Sequence, residues 1–425
     1  MTEDTSAPQS PIWHPFTQHA TLPEMVKIER GKGAYLYKPD GARIIDGISS
    51  WWVITHGHCH PYIQSAVQAQ AEKLDQVIFA GHTHEPAERV AEELIAITPK
   101  GLDYVFFSDS GSTCVEVALK MALGFWHHQG SKRQRILVLE NSYHGDTIGT
   151  MSVGQRGVFN RPYDPLLFTV ESLPFPAAGA GQDTLDALET ACRESAEGVA
   201  GLIVEPLVLG AGGMLMYSTD VLREMKRICE KYDVLFIADE VMTGWGRTGT
   251  RFACEQAGVV PDIACYSKGI TGGSLPLAVT LCHRKIFDAH YSTDRAKTFF
   301  HSSSYTANPV ACAAAVANLE LWHREPVQEN IDRIAAYHGK KLEAFRDHPR
   351  FENVRQTGTI AAVDVKVTDE GYLAGVGPTL YAYFQDRGFL LRPLGNTVYI
   401  LPPYCVSEAD LDEIYDAIAD SINHI

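Results

Sequence analysis

No apolar run in the 425-residue chain approaches the roughly 18 residues of a membrane span, so no transmembrane helix is expected. The opening stretch, MTEDTSAPQSP, is polar and acidic and lacks the apolar core of an export signal, which points to a cytoplasmic protein. No CxxC occurs either. The nine cysteines stand singly, at Cys59, Cys114, Cys192, Cys229, Cys254, Cys265, Cys282, Cys312 and Cys405. Without paired spacing they read as reduced thiols, mostly small core residues. There is no basic block, and the net charge is -16, which argues against nucleic acid or an anionic membrane as partner. Internal repeats and low-complexity segments are absent too. Small molecules remain as the expected ligands.

What is present is ordinary for a globular protein: 45% hydrophobic and 21% charged residues. The length allows two or three domains, or one large α/β unit with a smaller partner. Residues 1–60 hold short alternating runs broken by Gly and Asp-Gly turns, the pattern of hairpins and loops. From about residue 61, helical segments alternate with short continuous apolar runs: YVFFSD, RILVLEN, GLIVEP, VLFIADE and DIACYSK. Such runs are strands buried on both faces, and with helices between them they predict a mostly parallel sheet. In the helix after the first run, Val115, Leu119, Ala122 and Trp126 form a core-facing stripe. From about residue 311 come two helices, short strands and a final amphipathic helix from about Ser407. The expected division is an N-terminal segment over 1–60 packing with the small domain, a large domain over 61–310 and a small α+β domain over 311–425.

All five apolar runs end in polar or reactive residues: Ser108-Asp109, Glu140-Asn141, Glu205, Asp239-Glu240 and Lys268. Ligands of open parallel sheets bind beyond the carboxyl ends of the strands, so these groups are expected to share one crevice. In SDSGST, Gly111 and Ser112 would present backbone N–H groups at a helix N-terminus, a seat for phosphate, although many such turns are only helix caps. Tyr143 and His144 follow a strand end, where an aromatic can cover a flat ring or simply pack. Asp239 ends a buried strand and needs a cationic partner if it is not merely a turn residue. Lys268 is followed by glycines at 269, 272 and 273, where a surface lysine in a turn is the ordinary alternative. Lysine, buried carboxylate and anion seat together describe a pyridoxal phosphate site: an amine for the aldehyde, an acid for the ring nitrogen and a helix start for the phosphate.

At DEVMTGWGRTG, followed by SKGITGG, the chain resembles the class III aminotransferases of the fold-type I pyridoxal phosphate enzymes. The resemblance extends through WHPFTQ, DGISSWWVITHGHCHP, SDSGSTCVEVALKMA, NSYHGDTIGTMSVG, EPLVLGAGGM, FFHSSSYTANPVACAAA and LLRPLGNTVYILPPY, nearly the whole chain. It implies an α/β fold with a mostly parallel seven-stranded sheet flanked by helices, and a smaller α+β domain. It also implies a homodimer with the active site at the subunit interface. These motifs are most similar to the biotin-synthesis branch. That branch implies ping-pong transfer of an amino group from S-adenosylmethionine to 8-amino-7-oxononanoate, giving 7,8-diaminononanoate. Lysine as donor, or the substrates of another class III ω-aminotransferase, are the alternatives.

Position by position, the resemblance implies that Lys268 holds the cofactor and moves the proton, Asp239 pairs with the ring nitrogen and Tyr143 stacks on the ring. Gly111 and Ser112 would hold the phosphate, with Ser303 and Ser304 arriving from the partner subunit. Phe16, Trp51, Trp52, Tyr143, Lys268, Ser302 and Arg392 would face substrate, Arg392 as a planar fork for a carboxylate. Asp146, Glu205 and Arg247 sit in matching motifs and would support or gate the site. Phe16 departs from the family's usual tyrosine, which removes a hydroxyl near the substrate amine. Ser304 stands where threonine is common.

A different class of enzyme competes for one stretch. His56, His58 and His60 alternate, and His82 and His84 follow, as zinc ligands on a strand would. That would make a metal-dependent hydrolase. A stretch containing Gly57 and ending at Pro61 makes a poor strand, so polar-loop roles are the stronger expectation and no metal is assigned.

Overall fold

In the computed structural model, residues 10–22, 24–194, 198–368 and 371–425 are described. Seven strands form the central sheet: β1 (Leu102–Ser108), β2 (Arg135–Leu139), β3 (Glu171–Leu173), β4 (Val199–Val204), β5 (Leu235–Asp239), β6 (Ile263–Tyr266) and β7 (Ala278–His283). Their spatial order is β1-β7-β6-β5-β4-β2-β3. The five apolar runs read from the sequence are β1, β2, β4, β5 and β6. β7 runs antiparallel to both its neighbours, β6 and β1, and every other pairing is parallel.

The continuous apolar runs follow from burial on two faces. Along β5, Leu235 and Ile237 join one core with the helix Gly111–His128, while Phe236 and Ala238 join another with the helix Thr219–Lys231. Successive side chains point to opposite faces of a strand, so a sheet covered on both sides favours apolar residues along each strand up to its end, where Asp239 closes β5. All residues of β4 and β5 are buried. The predicted stripe of Val115, Leu119, Ala122 and Trp126 is buried in the Gly111–His128 helix.

The N-terminal strands Arg30–Lys32, Tyr35–Tyr37 and Arg43–Asp46 pair as hairpins, and the last of them pairs in parallel with Phe389–Leu390. A three-stranded antiparallel sheet, Phe351–Thr357, Ile360–Val365 and Thr397–Ile400, lies within the C-terminal region. The last helix, Glu408–Ser421, starts where expected. The Ser407 hydroxyl accepts from Asp410 N and the Asp410 carboxylate reaches back to Ser407 N, a reciprocal cap that fixes the first turn.

Candidate active site

The carboxyl ends of β1, β2, β4, β5 and β6 open onto one cavity of about 410 Å³. Ser110, Gly111 and Ser112 follow β1, Tyr143 to Asp146 follow β2, Glu205 follows β4, Asp239 ends β5 and Lys268 follows β6. All five strand ends predicted to converge do so. At the residue level, Ser108, Asp109, Glu140, Asn141 and Glu240 do not line it. Glu240 turns elsewhere. Its carboxylate accepts from Ala253 N at 2.9 Å, Cys254 N at 2.8 Å and Thr243 Oγ1 at 2.9 Å, so it caps the next helix away from the cavity.

Lys268 has φ +48°, a left-handed conformation that is costly for a side-chain-bearing residue and is met most often at functional positions. Among the described residues its Nζ has no hydrogen bond or ion pair. It stands 4.4 Å above the Trp52 ring. Burial pushes its pKa down to about 8 against the pull of Asp239 and Glu205. The cavity therefore holds an amine with much of the basicity of a lysine removed.

Asp239 is 4% exposed. Its Oδ2 lies 2.7 Å from His144 Nδ1, and its Oδ1 accepts from Val241 N at 3.1 Å. Burial alone would depress the imidazole, but the bond and charge of Asp239 outweigh it and leave His144 raised. His144 Nε2 is buried with no hydrogen-bond partner among the described residues. The partner that the buried Asp239 carboxylate finds within the chain is thus a histidine. Its position beside Tyr143 in the β2 loop was the available signal.

Glu205 lies below. Burial raises its carboxyl to about 7, against the attraction of His144, while its oxygens accept from Tyr143 N and Gly210 N, both at 3.0 Å. Burial and then Asp146 push the Tyr143 phenol up. At the helix start, Ser110 caps Thr113 N, leaving the first turn's N–H groups beside the cavity, and Ser112 Oγ accepts from Asp146 N at 3.2 Å. A Cβ on Gly111 would stand 2.7 Å from Val241 Cγ1, and one on Gly145 would stand 2.1 Å from Ser112 Oγ. These close approaches require glycine.

The mouth is aromatic and cationic. Phe16 meets Trp51 edge-on at 5.5 Å and Phe159 at 6.0 Å. The Arg392 guanidinium lies 5.4 Å from the Trp51 ring and donates to the Phe16 carbonyl at 2.8 Å. Among the described residues no carboxylate pairs with it. The paired tryptophans separate: Trp51 is 39% exposed at the mouth, whereas Trp52 is buried and donates from Nε1 to Tyr399 Oη at 3.0 Å. Only Trp51 presents a free face. Their turn is strained, with φ of +54° at Ser49, +62° at Ser50 and +70° at Trp52. Buried Asp46 holds it by accepting from Ile48 N, Ser50 N and His58 Nε2. Asp46, Phe159 and Tyr372 escape the sequence reading, since their parts depend on contacts distant in the chain.

Arg247 does not line the cavity. It is buried beneath it, donating to Pro402 O and Ile54 O, both at 2.8 Å. Ser302, Ser303 and Ser304 also lie off the cavity of their own chain. Ser303 Oγ donates to Asp109 Oδ2 at 2.5 Å, and Ser302 and Ser304 are exposed. Four of the five histidines weighed as zinc ligands go to separate partners: His56 to Asn318, His58 to Asp46, His60 to Glu325 and His84 to Ala307 O.

An amine of lowered basicity, a buried carboxylate tied to histidine and a helix-start anion seat define a site for amino-group chemistry. The chain belongs to the class III aminotransferases: the family model described as aminotransferase class-III matches residues 16–422. It is 48% identical to the adenosylmethionine-8-amino-7-oxononanoate aminotransferase of Synechococcus elongatus, over 97% of this chain and 99% of that one. The enzyme of the same name from Geobacter sulfurreducens is 38% identical, over 97% and 96% of the two chains. Among solved structures, that of the adenosylmethionine-8-amino-7-oxononanoate aminotransferase from Methanocaldococcus jannaschii superposes with a TM-score of 0.93 at 33% identity, over 97% of each chain. An amine transaminase from an uncultivated Pseudomonas species, PLP-bound, gives 0.92 at 30% identity, over 98% and 99%.

Proposed function

We propose that this aminotransferase carries pyridoxal phosphate and transfers an amino group from S-adenosylmethionine to 8-amino-7-oxononanoate, the step that gives 7,8-diaminononanoate in biotin synthesis. The observation that carries the reading is the 48% identity to an enzyme so named, over nearly the full length of both chains. The cavity fits the cofactor. Lys268 offers an amine unpartnered among the described residues, Asp239 a buried carboxylate, and Gly111 and Ser112 the N–H groups of a helix start that attracts anions. When bound, pyridoxal phosphate supplies an aldehyde for the amino group and a ring that accepts the electrons of a broken C–H bond.

The chain's own residues do the rest. Lys268 Nζ takes and returns the proton, which its lowered pKa permits near neutral pH. Asp239, held by His144 and Val241 N, would pair through its carboxylate with the ring nitrogen. The Tyr143 ring, which lines the cavity, would cover a face of the cofactor. Trp51 and Arg392 receive substrate at the mouth, Arg392 through a carboxylate. Ser302, Ser303 and Ser304 would serve the cavity of a second copy in a homodimer, which suits their distance from their own.

A pH dependence follows from Lys268. Only the neutral amine attacks an aldehyde, and its pKa of about 8 lies below the 10.5 of an ordinary lysine. Between those values the unfolded chain binds the extra proton, so the cofactor-free protein gains stability as pH rises through that window. Reconstitution with pyridoxal phosphate, followed by its absorbance, is expected to accelerate with pH to a midpoint near 8. A midpoint near 10.5 would mean that the amine is not desolvated.

The donor is decided by single-turnover spectra of the holoenzyme with S-adenosylmethionine and with lysine. Conversion by S-adenosylmethionine is expected. Conversion by lysine alone would overturn the donor and agree with Phe16, which lacks the hydroxyl usual at its position.

A further inference from the structure

A second chamber of about 280 Å³ adjoins the catalytic cavity, and the roles assigned above leave it without a task. Tyr143, Gly145, Asp146, Phe159, Tyr372 and Leu394 line both spaces. The Phe159 and Tyr372 rings, with centroids 4.5 Å apart and planes at 65°, belong to the shared wall. Beyond them, Gly154, Gly157, Gly212, Gly213 and Gly371 line the chamber together with Met151, so much of its boundary is backbone. Of the three asparagines in its lining, Asn141, Asn160 and Asn396, two have their amides engaged. Asn160 bonds to Gly157 N and Gln155 O, and Asn396 to Gly371 N and Val365 O. Asp146, at the border, is the one charged side chain in its lining.

Glycine backbone, a thioether and aromatic rings suit a neutral, flat, aromatic group, and a carboxylate at the entrance suits a cation. The donor proposed above has both features, a sulfonium next to an adenosyl group. Size points the same way. A cavity of about 410 Å³ is at the small end for ligand sites, and it must also take the cofactor. We infer that the second chamber is the adenosyl subsite. The donor's amino-acid end reaches Lys268, its sulfonium passes Asp146, and its adenine enters between the Phe159–Tyr372 pair and the glycine wall. The amino-oxononanoate acceptor has no ring and leaves the chamber empty. The inference rests on S-adenosylmethionine being the donor.

Gly157→Leu tests it, because Gly157 lines the second chamber alone and a Cβ there meets nothing within 4 Å on an unstrained backbone. In the holoenzyme this variant is expected to cut kcat/KM for the S-adenosylmethionine half-reaction by about tenfold or more, the scale of one lost base–aromatic stack. The half-reaction with the acceptor should be unchanged. No effect on the donor half, or an equal loss in both, overturns the subsite. Adenosine added to the wild-type holoenzyme supplies a measure independent of any variant's folding. It should compete with S-adenosylmethionine and spare the acceptor half, and inhibition of neither half, or of both alike, overturns the proposal. A wild-type enzyme that takes no amino group from S-adenosylmethionine overturns the donor reading itself, and the wild-type arm reports that separately.

Discussion

Lys268→Ala is expected to abolish the absorbance of the lysine-bound cofactor and to lower turnover by about ten-thousandfold or more, because covalent capture and proton transfer are lost together. The fold should survive. The lost amine has no hydrogen bond or ion pair among the described residues, and burial already works against its charged form. Removing it therefore leaves no buried group stranded. The φ of +48° is carried by lysine now and is no harder for alanine. A small external amine should restore part of the turnover by entering the vacated space above Trp52, which no merely structural role for Lys268 would allow. Substantial transamination by the variant without added amine would show that another group does the chemistry.

How much of this was legible in the sequence depends on how local each cause is. The five strands buried on both faces announce themselves through runs such as VLFIADE, because a sheet covered twice leaves little room for polar side chains before the strand end. β3, only three residues, ESL, gives no such signal, and β7, AVTLCH, runs antiparallel to its neighbours, so its polar end at His283 lies away from the site. The strand-end groups at 111–112, 143, 205, 239 and 268 were readable because open α/β sheets place ligands at those ends. His144 was visible but unassigned, since its bond to Asp239 spans 95 positions. Trp51 and Trp52 looked alike in the sequence and part company in the fold, as the strained turn held by Asp46 turns one ring outward and the other beneath Lys268. Phe159 and Tyr372 meet only through tertiary packing. Ser303 and Ser304 came from family resemblance, and within one chain neither lines the cavity.

Asp239→Asn tests the charge at the centre of the site without changing its shape. The amide can still accept from Val241 N, but its NH2 would then face His144 Nδ1, 2.7 Å from the present oxygen. To accept that bond the imidazole must carry its proton on Nε2, which is buried without a partner among the described residues. The variant thus trades a charge-assisted pair for a neutral one and removes the negative charge facing the ring nitrogen. Loss of one preorganised electrostatic partner lowers kcat by about a hundred- to a thousandfold. KM should change little, as Asp239 stands at the end of β5, away from Trp51 and Arg392 at the mouth. Lys268 provides an independent readout. Asp239 raises the lysine's pKa, so its neutralisation should move the midpoint of cofactor loading to a pH below about 8. A variant with wild-type kcat and an unmoved midpoint would take Asp239 out of the chemistry and leave it a strand-end turn residue.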